Sequence, residues 1–134
     1  LVVFVHKDNP LVGLSMSQVD AIFSKTRRGG AREEISTWGQ LGLGGDWADK
    51  PIALYGRNSA SGTYGYFQEH ALFKGDFKDS VKEQAGSAAV VSSIAGDRYA
   101  MGYSGIGYAT AGVRALALSK RNDGRYVEAR EENA

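Results

Sequence analysis

The chain of 134 residues contains no cysteine. That excludes disulfides, thiolate metal sites and a cysteine nucleophile, although it fixes no compartment. Charge of one sign is equally scarce: 16 basic and 15 acidic side chains leave a formal +1. A general nucleic-acid or membrane-surface binder carries a basic excess, so both classes are disfavoured. No apolar run approaches the ~20 residues that cross a bilayer. Repeats and low-complexity blocks are absent. The chain opens at Leu1 without a methionine, and its short apolar start is no signal h-region; it reads as a processed or excised boundary.

Several catalytic signatures are missing too. There is no G-x-S-x-G elbow, because Gly102-Tyr103-Ser104-Gly105 breaks the spacing. Neither the phosphate loop of nucleotide hydrolases nor a G-x-G-x-x-G turn occurs. The two histidines, His6 and His70, stand far apart, with no metal spacing around them. No cofactor, metal or enzymatic activity is expected. The length remains ample for one domain with a proper core.

What the chain has is strand and helix signals in alternation. Residues 1–6 (LVVFVH) form a β-branched and aromatic run with little alternation, as in a strand buried on both faces. Asn9-Pro10 closes it, since proline lacks a ladder donor. Residues 17–24 predict a short helix capped by Ser17, with Asp20 in the capping-box position. Residues 25–49 predict a long glycine- and charge-rich connection anchored by Trp38 and Trp47. A second buried strand spans 51–57, opening on Pro51. A helix spans 61–73, stopped at Gly75, and a further helical turn is expected at 77–83. Gly86-Ser87 opens another helix with Val90, Val91 and Ile94 on one face and Gly96-Asp97 at its end. Strands are expected at 99–103 and 113–118, joined by the glycine-rich link 104–108. The polar stretch 119–134 reads as an exposed tail. Together these predict an α/β fold of three layers, an open, mostly parallel sheet with helices on both faces.

One stretch carries chemistry: Tyr55-Gly56-Arg57-Asn58-Ser59-Ala60-Ser61-Gly62-Thr63, between an apolar strand and a helix. A helix N-terminus bears about half a positive charge and several donors without intrahelical partners, so it attracts anions. Arg57 adds a planar fork suited to phosphate or carboxylate oxygens. Ser61 and Thr63 taken alone are ordinary cap residues. An arginine, two hydroxyls and Gly62 on one turn point further, to an oxyanion site at the carboxyl end of a strand, where such sheets bind ligands. Tyr64, Tyr66, Phe67 and Phe73 are expected in packing, and Arg27-Arg28 and Glu131-Glu132 at the solvated surface.

The segments NPLVGLSMSQVDAIFSKTRRGG, YGRNSASGTYGYFQEHAL and GSAAVVSSIAGDRYAMGYSGIGYATAGVRALAL, in that order, resemble the periplasmic phosphate-binding proteins of ABC-type phosphate importers. The likeness runs from about residue 3 to about residue 118. It implies one lobe, the second, of a two-lobed Venus-flytrap receptor of the type II fold, with residues 1–118 as the lobe and 119–134 leading toward a return crossover. In such receptors the arginine, the hydroxyls and the N–H groups of Ser-Gly-Thr hold phosphate, which maps onto Arg57, Ser61, Gly62 and Thr63. The resemblance also implies a periplasmic location, a first lobe that completes the site, and a membrane permease as partner. Many relatives carry an acid two positions after the arginine. Ser59 stands there instead, so Asn58, Ser59 or a distant carboxylate is expected to orient Arg57. Sulfate or molybdate as ligand, a phosphoester hydrolase using the same cradle, and a sensor or adhesin with a vestigial site are the alternatives.

Overall fold

The central strand β1 (Val2–His6) explains the layering. Its side chains alternate between two cores: Val3 and Val5 enter one with Leu54, Met101 and Tyr103, whereas Val2 and Phe4 enter another with Val90, Val91 and Ile94. A strand apolar at every position is the signature of a sheet covered on both sides. In this computed structural model, which describes residues 2–31, 33–104 and 106–119, helices do cover both sides. Helices α1 (Met16–Phe23) and α2 (Gly62–Ala71) supply Val19, Ile22, Phe23, Phe67 and Ala71 to the first core. Helix α3 (Ser87–Ala95) closes the second.

The five-stranded sheet runs β4 (Lys82–Gln84), β3 (Ala53–Arg57), β5 (Ala100–Ser104), β1, β6 (Val113–Ala115). β3 is parallel to both neighbours, and β1 is antiparallel to β5 and β6. Four strands therefore share a direction and β1 alone opposes them, in agreement with a mostly parallel α/β sheet. The chain leaves β3 through α2 on one face and returns from β4 through α3 on the other. Such a reversal opens a crevice at the carboxyl ends of the strands. Arg57 is the last residue of β3, on that edge.

A separate two-stranded pair joins β2 (Gly13–Ser15) to β7 (Ala117–Ser119), which the sequence pattern did not indicate. The single strand expected at 113–118 is divided at Leu116, whose N–H donates to Val3 O at 2.9 Å while its side chain is buried. One half then serves each sheet. Ser119 completes β7, and residues 120–134, expected as the polar tail, lie outside the described residues.

Three further expectations are corrected. The cap of α1 is Ser15, which accepts from Gln18 N–H while the Gln18 side chain accepts from Ser15 N–H at 2.8 Å. Ser17 is thus not the cap, and Asp20 turns inward to accept from Gly29 N–H at 2.7 Å. The segment expected as a helical turn at 77–83 instead feeds β4, an exposed edge strand. Helix α2 ends before Gly75: Phe73 and Lys74 take up left-handed backbone, with φ 52 and 65. Gly75 answers a different need, because a Cβ there would lie 2.0 Å from Thr26 Oγ1.

Trp38 and Trp47 are buried edge-to-face at 5.7 Å, and Trp38 Nε1 donates to Tyr99 O at 3.0 Å, so they anchor the long connection as expected. Gly102 lies between β3 and α3, where a Cβ would come 2.7 Å from Tyr55 O and 2.9 Å from Ile94 Cδ1, so its place in the fold is set by close packing of strand and helix.

Candidate anion-binding site

Ser61 caps α2 with extended backbone, φ −85 and ψ 137. Its Oγ accepts from Thr63 N–H at 3.0 Å and from Tyr64 N–H at 3.4 Å. Since a hydroxyl accepts twice and donates once, this capping leaves the Ser61 proton available to a ligand. Ser61 N–H donates to Asn58 O at 3.1 Å, which folds the turn back over the end of β3. The cradle expected from three backbone N–H groups is therefore reduced. Those of Ser61 and Thr63 are used within the chain, whereas Gly62 N–H has no partner among the described residues. Thr63 Oγ1 bonds no other described residue, so its hydroxyl is also open to an external acceptor.

Gly62 is exposed, and a Cβ built on it would meet nothing within 4 Å. The fold itself does not demand glycine at this position. Bare backbone there lets a ligand approach the first turn of the helix closely.

Arg57 is positioned from below and from the side. Below it, a Cβ on Gly56 would lie 2.5 Å from Tyr103 Cε1, so only glycine lets the Tyr103 ring pass under the strand end. Tyr103 is clamped by Phe67, stacked at 4.0 Å, and by Phe23 edge-on at 5.9 Å. Its hydroxyl donates to Arg57 O at 3.4 Å. Burial raises the Tyr103 phenol well above its usual range, so it stays a neutral donor at physiological pH.

The guanidinium is held from the side. Arg57 Nη1 donates to Ser87 Oγ at 3.0 Å, and Nη2 to Ala85 O at 3.4 Å. Neither Asn58 nor Ser59 bonds it through a side chain, which corrects the expectation that they orient it. Among the described residues no ion pair involves Arg57. Sequence reasoning placed Ser87 only at the start of a helix. No local signal ties it to an arginine thirty residues earlier.

The remaining polar and aromatic candidates sit elsewhere. His70 stacks on Tyr66 at 4.2 Å, and His6 Nδ1 accepts from Asp8 N–H, so neither stands as a base beside Ser61 or Thr63. Phe67 is core, whereas Tyr66 and Phe73 are half exposed. The arrangement is one of donors: a full positive charge, two hydroxyl protons and a helix N-terminus on one edge of the sheet.

Residues 1–133 match the family described as the PBP superfamily domain. The chain belongs to the PBP superfamily. Over its whole length this PBP domain is 59% identical to the phosphate-binding protein PstS of Pseudomonas aeruginosa, of which it spans 42%. A PstS of Staphylococcus epidermidis is 33% identical over 105 residues, 78% of this chain and 29% of that protein. Among solved structures, a Clostridium perfringens protein described as a phosphate ABC transporter substrate-binding protein, with bound phosphate, aligns with a TM-score of 0.79. It is 28% identical, and the alignment covers 98% of this chain and 47% of that one. An ABC-type phosphate transport receptor from Vibrio cholerae, at 21% identity and TM-score 0.74, shares the fold over 90% of this chain and 46% of its own. The PBP domain thus spans less than half the length of these relatives.

Proposed function

We propose that this chain is the donor-bearing lobe of a two-lobed periplasmic receptor that binds inorganic phosphate and passes it to an ABC permease. The observation that carries this reading is Arg57, without an ion pair among the described residues, at the carboxyl edge of the sheet, followed on the next turn by the Gly62 N–H and the hydroxyls of Ser61 and Thr63. The names of the relatives support phosphate as the anion and transport as the setting. Binding is favoured over turnover because no histidine lies against either hydroxyl.

A lobe of donors suits sulfate as well as phosphate. Rejection of sulfate needs an acceptor that is left facing an unprotonated oxygen, and the first lobe must provide it. Calorimetric titration of the intact receptor with phosphate and with sulfate tests the reading. Arg57→Ala is expected to weaken phosphate binding by at least ~2 kcal/mol, the scale of a buried charge-assisted contact. An unchanged dissociation constant rules out the site. Selective binding of sulfate or molybdate keeps the site and changes the ligand.

A further inference from the structure

Arg57 has five N–H donors and, among the described residues, no carboxylate partner. Its Nε is buried and unpaired, so it grips a ligand through its Nη atoms. Each Nη spends one hydrogen inside the protein, on Ser87 Oγ and on Ala85 O, and keeps one. The two internal acceptors therefore fix the plane of the guanidinium and the direction of the two hydrogens that remain.

Ser87 is the side chain among them. It is the first residue of α3 and only 4% exposed. A serine at a helix start ordinarily serves the helix by accepting from its backbone N–H groups. Here the cap is Gly86, no side chain caps the helix, and the Ser87 hydroxyl accepts from Arg57 instead. The residues nearer in sequence that could have done this are turned away: Ser59 is exposed, and neither it nor Asn58 reaches the guanidinium.

We propose that Ser87 is a positioning residue for the anion site, aiming Arg57 with a neutral acceptor that leaves its charge undiminished. This rests on the anion-binding reading above. A carboxylate in the same place would hold the fork more firmly, since charged hydrogen bonds are roughly twice as strong as neutral ones. It would also offset the charge that a phosphate needs. The hydroxyl gives direction without that offset. The site is consequently assembled from both helical layers. Ser61, Gly62 and Thr63 come with α2 on one face of the sheet, and the aim of Arg57 comes with α3 on the other.

The test is calorimetric titration of the intact receptor with inorganic phosphate, for Ser87→Ala, Ser87→Asp, Arg57→Ala and the double variant Ser87→Ala/Arg57→Ala, each first checked for an intact thermal transition. Ser87→Ala is expected to weaken binding about tenfold, the effect of losing one hydrogen bond to a charged group. In the Arg57→Ala background the same change should do nothing further, because Ser87 acts only through Arg57. Ser87→Asp should bind phosphate more weakly than wild type, although its arginine is better held. Wild-type affinity in Ser87→Ala, beside weakened Arg57→Ala, overturns the role of Ser87 and leaves the anion site standing. An equal loss in both backgrounds also overturns it, since the effect then bypasses Arg57. Tighter binding by Ser87→Asp overturns the charge-sparing argument. Full affinity in Arg57→Ala removes the site and this role together.

Discussion

Gly56→Ala measures how firmly the core holds the strand end that carries Arg57. The backbone there is not left-handed, so alanine is acceptable to the chain itself, and the whole cost is steric. The new Cβ would lie 2.5 Å from Tyr103 Cε1, 2.8 Å from Cζ and 2.9 Å from the hydroxyl oxygen. Carbon contacts settle near ~3.5–4.0 Å, so ring or strand has to yield by about 1 Å. The ring has nowhere easy to go, being stacked on Phe67 at 4.0 Å and flanked by Phe23 and Phe77 at 5.9 and 5.7 Å. Overpacking of this kind costs about 1–3 kcal/mol. Replacing glycine returns about 0.4–1 kcal/mol through the unfolded chain. The net expectation is a destabilisation of about 1–2 kcal/mol, read as a lower urea midpoint at constant slope.

The decisive arm is a second background. Tyr103→Leu removes the ring atoms that the Cβ meets, so Gly56→Ala should become neutral or mildly stabilising there. The coupling between the two changes would then be about 2 kcal/mol, within the range found for residues in contact. If Gly56→Ala costs the same in both backgrounds, the steric account of this glycine is wrong. A cost below about 0.5 kcal/mol in the wild-type background, the size of an ordinary surface change, refutes it equally.

Ser61 separates folding from binding. Ser61→Ala should lose about 1 kcal/mol of stability with its cap, whereas Ser61→Asp keeps a cap acceptor and should stay near wild type in urea. Both should lose phosphate affinity, the aspartate more severely because it places a negative charge at the anion position; undiminished calorimetric affinity in Ser61→Asp would contradict the site. Tyr103 governs alkaline stability: burial raises its folded pKa above the ordinary value of 10.0, so its contribution is complete below about pH 10 and is lost as pH rises further. Tyr103→Phe should therefore flatten the fall in urea stability above pH 10 by up to about 1.4 kcal/mol per pH unit, leaving a residual slope from Tyr55 and Tyr64, which burial shifts the same way. An unchanged alkaline slope would place the titration elsewhere.

The parts of this molecule that could be read from the chain are those whose cause is local. Strands β1 and β3 announce themselves by apolar runs because each is covered on both faces, and α2 by a cap residue at its start. β4 offered no such sign. Lys82-Glu83-Gln84 lies at an exposed edge and needs only backbone pairing with β3, so no side chain was selected to record it. The cap of α1 was misplaced by two residues for a related reason. Asp20 looked like half of a capping box, but a tertiary partner, the N–H of Gly29, had claimed it.

The site divides along the same line. Its donors are legible, since a helix N-terminus and its hydroxyls belong to one turn of chain. The aim of its arginine is not, because Ser87 and Ala85 reach Arg57 only after β4 has paired with β3 and α3 has crossed to the far face. A motif can thus offer candidate donors for an anion without showing what holds the arginine among them. Arg57, Asn58 and Ser59 are neighbours in the chain, yet the strand end directs the guanidinium away from them and onto the next βα unit.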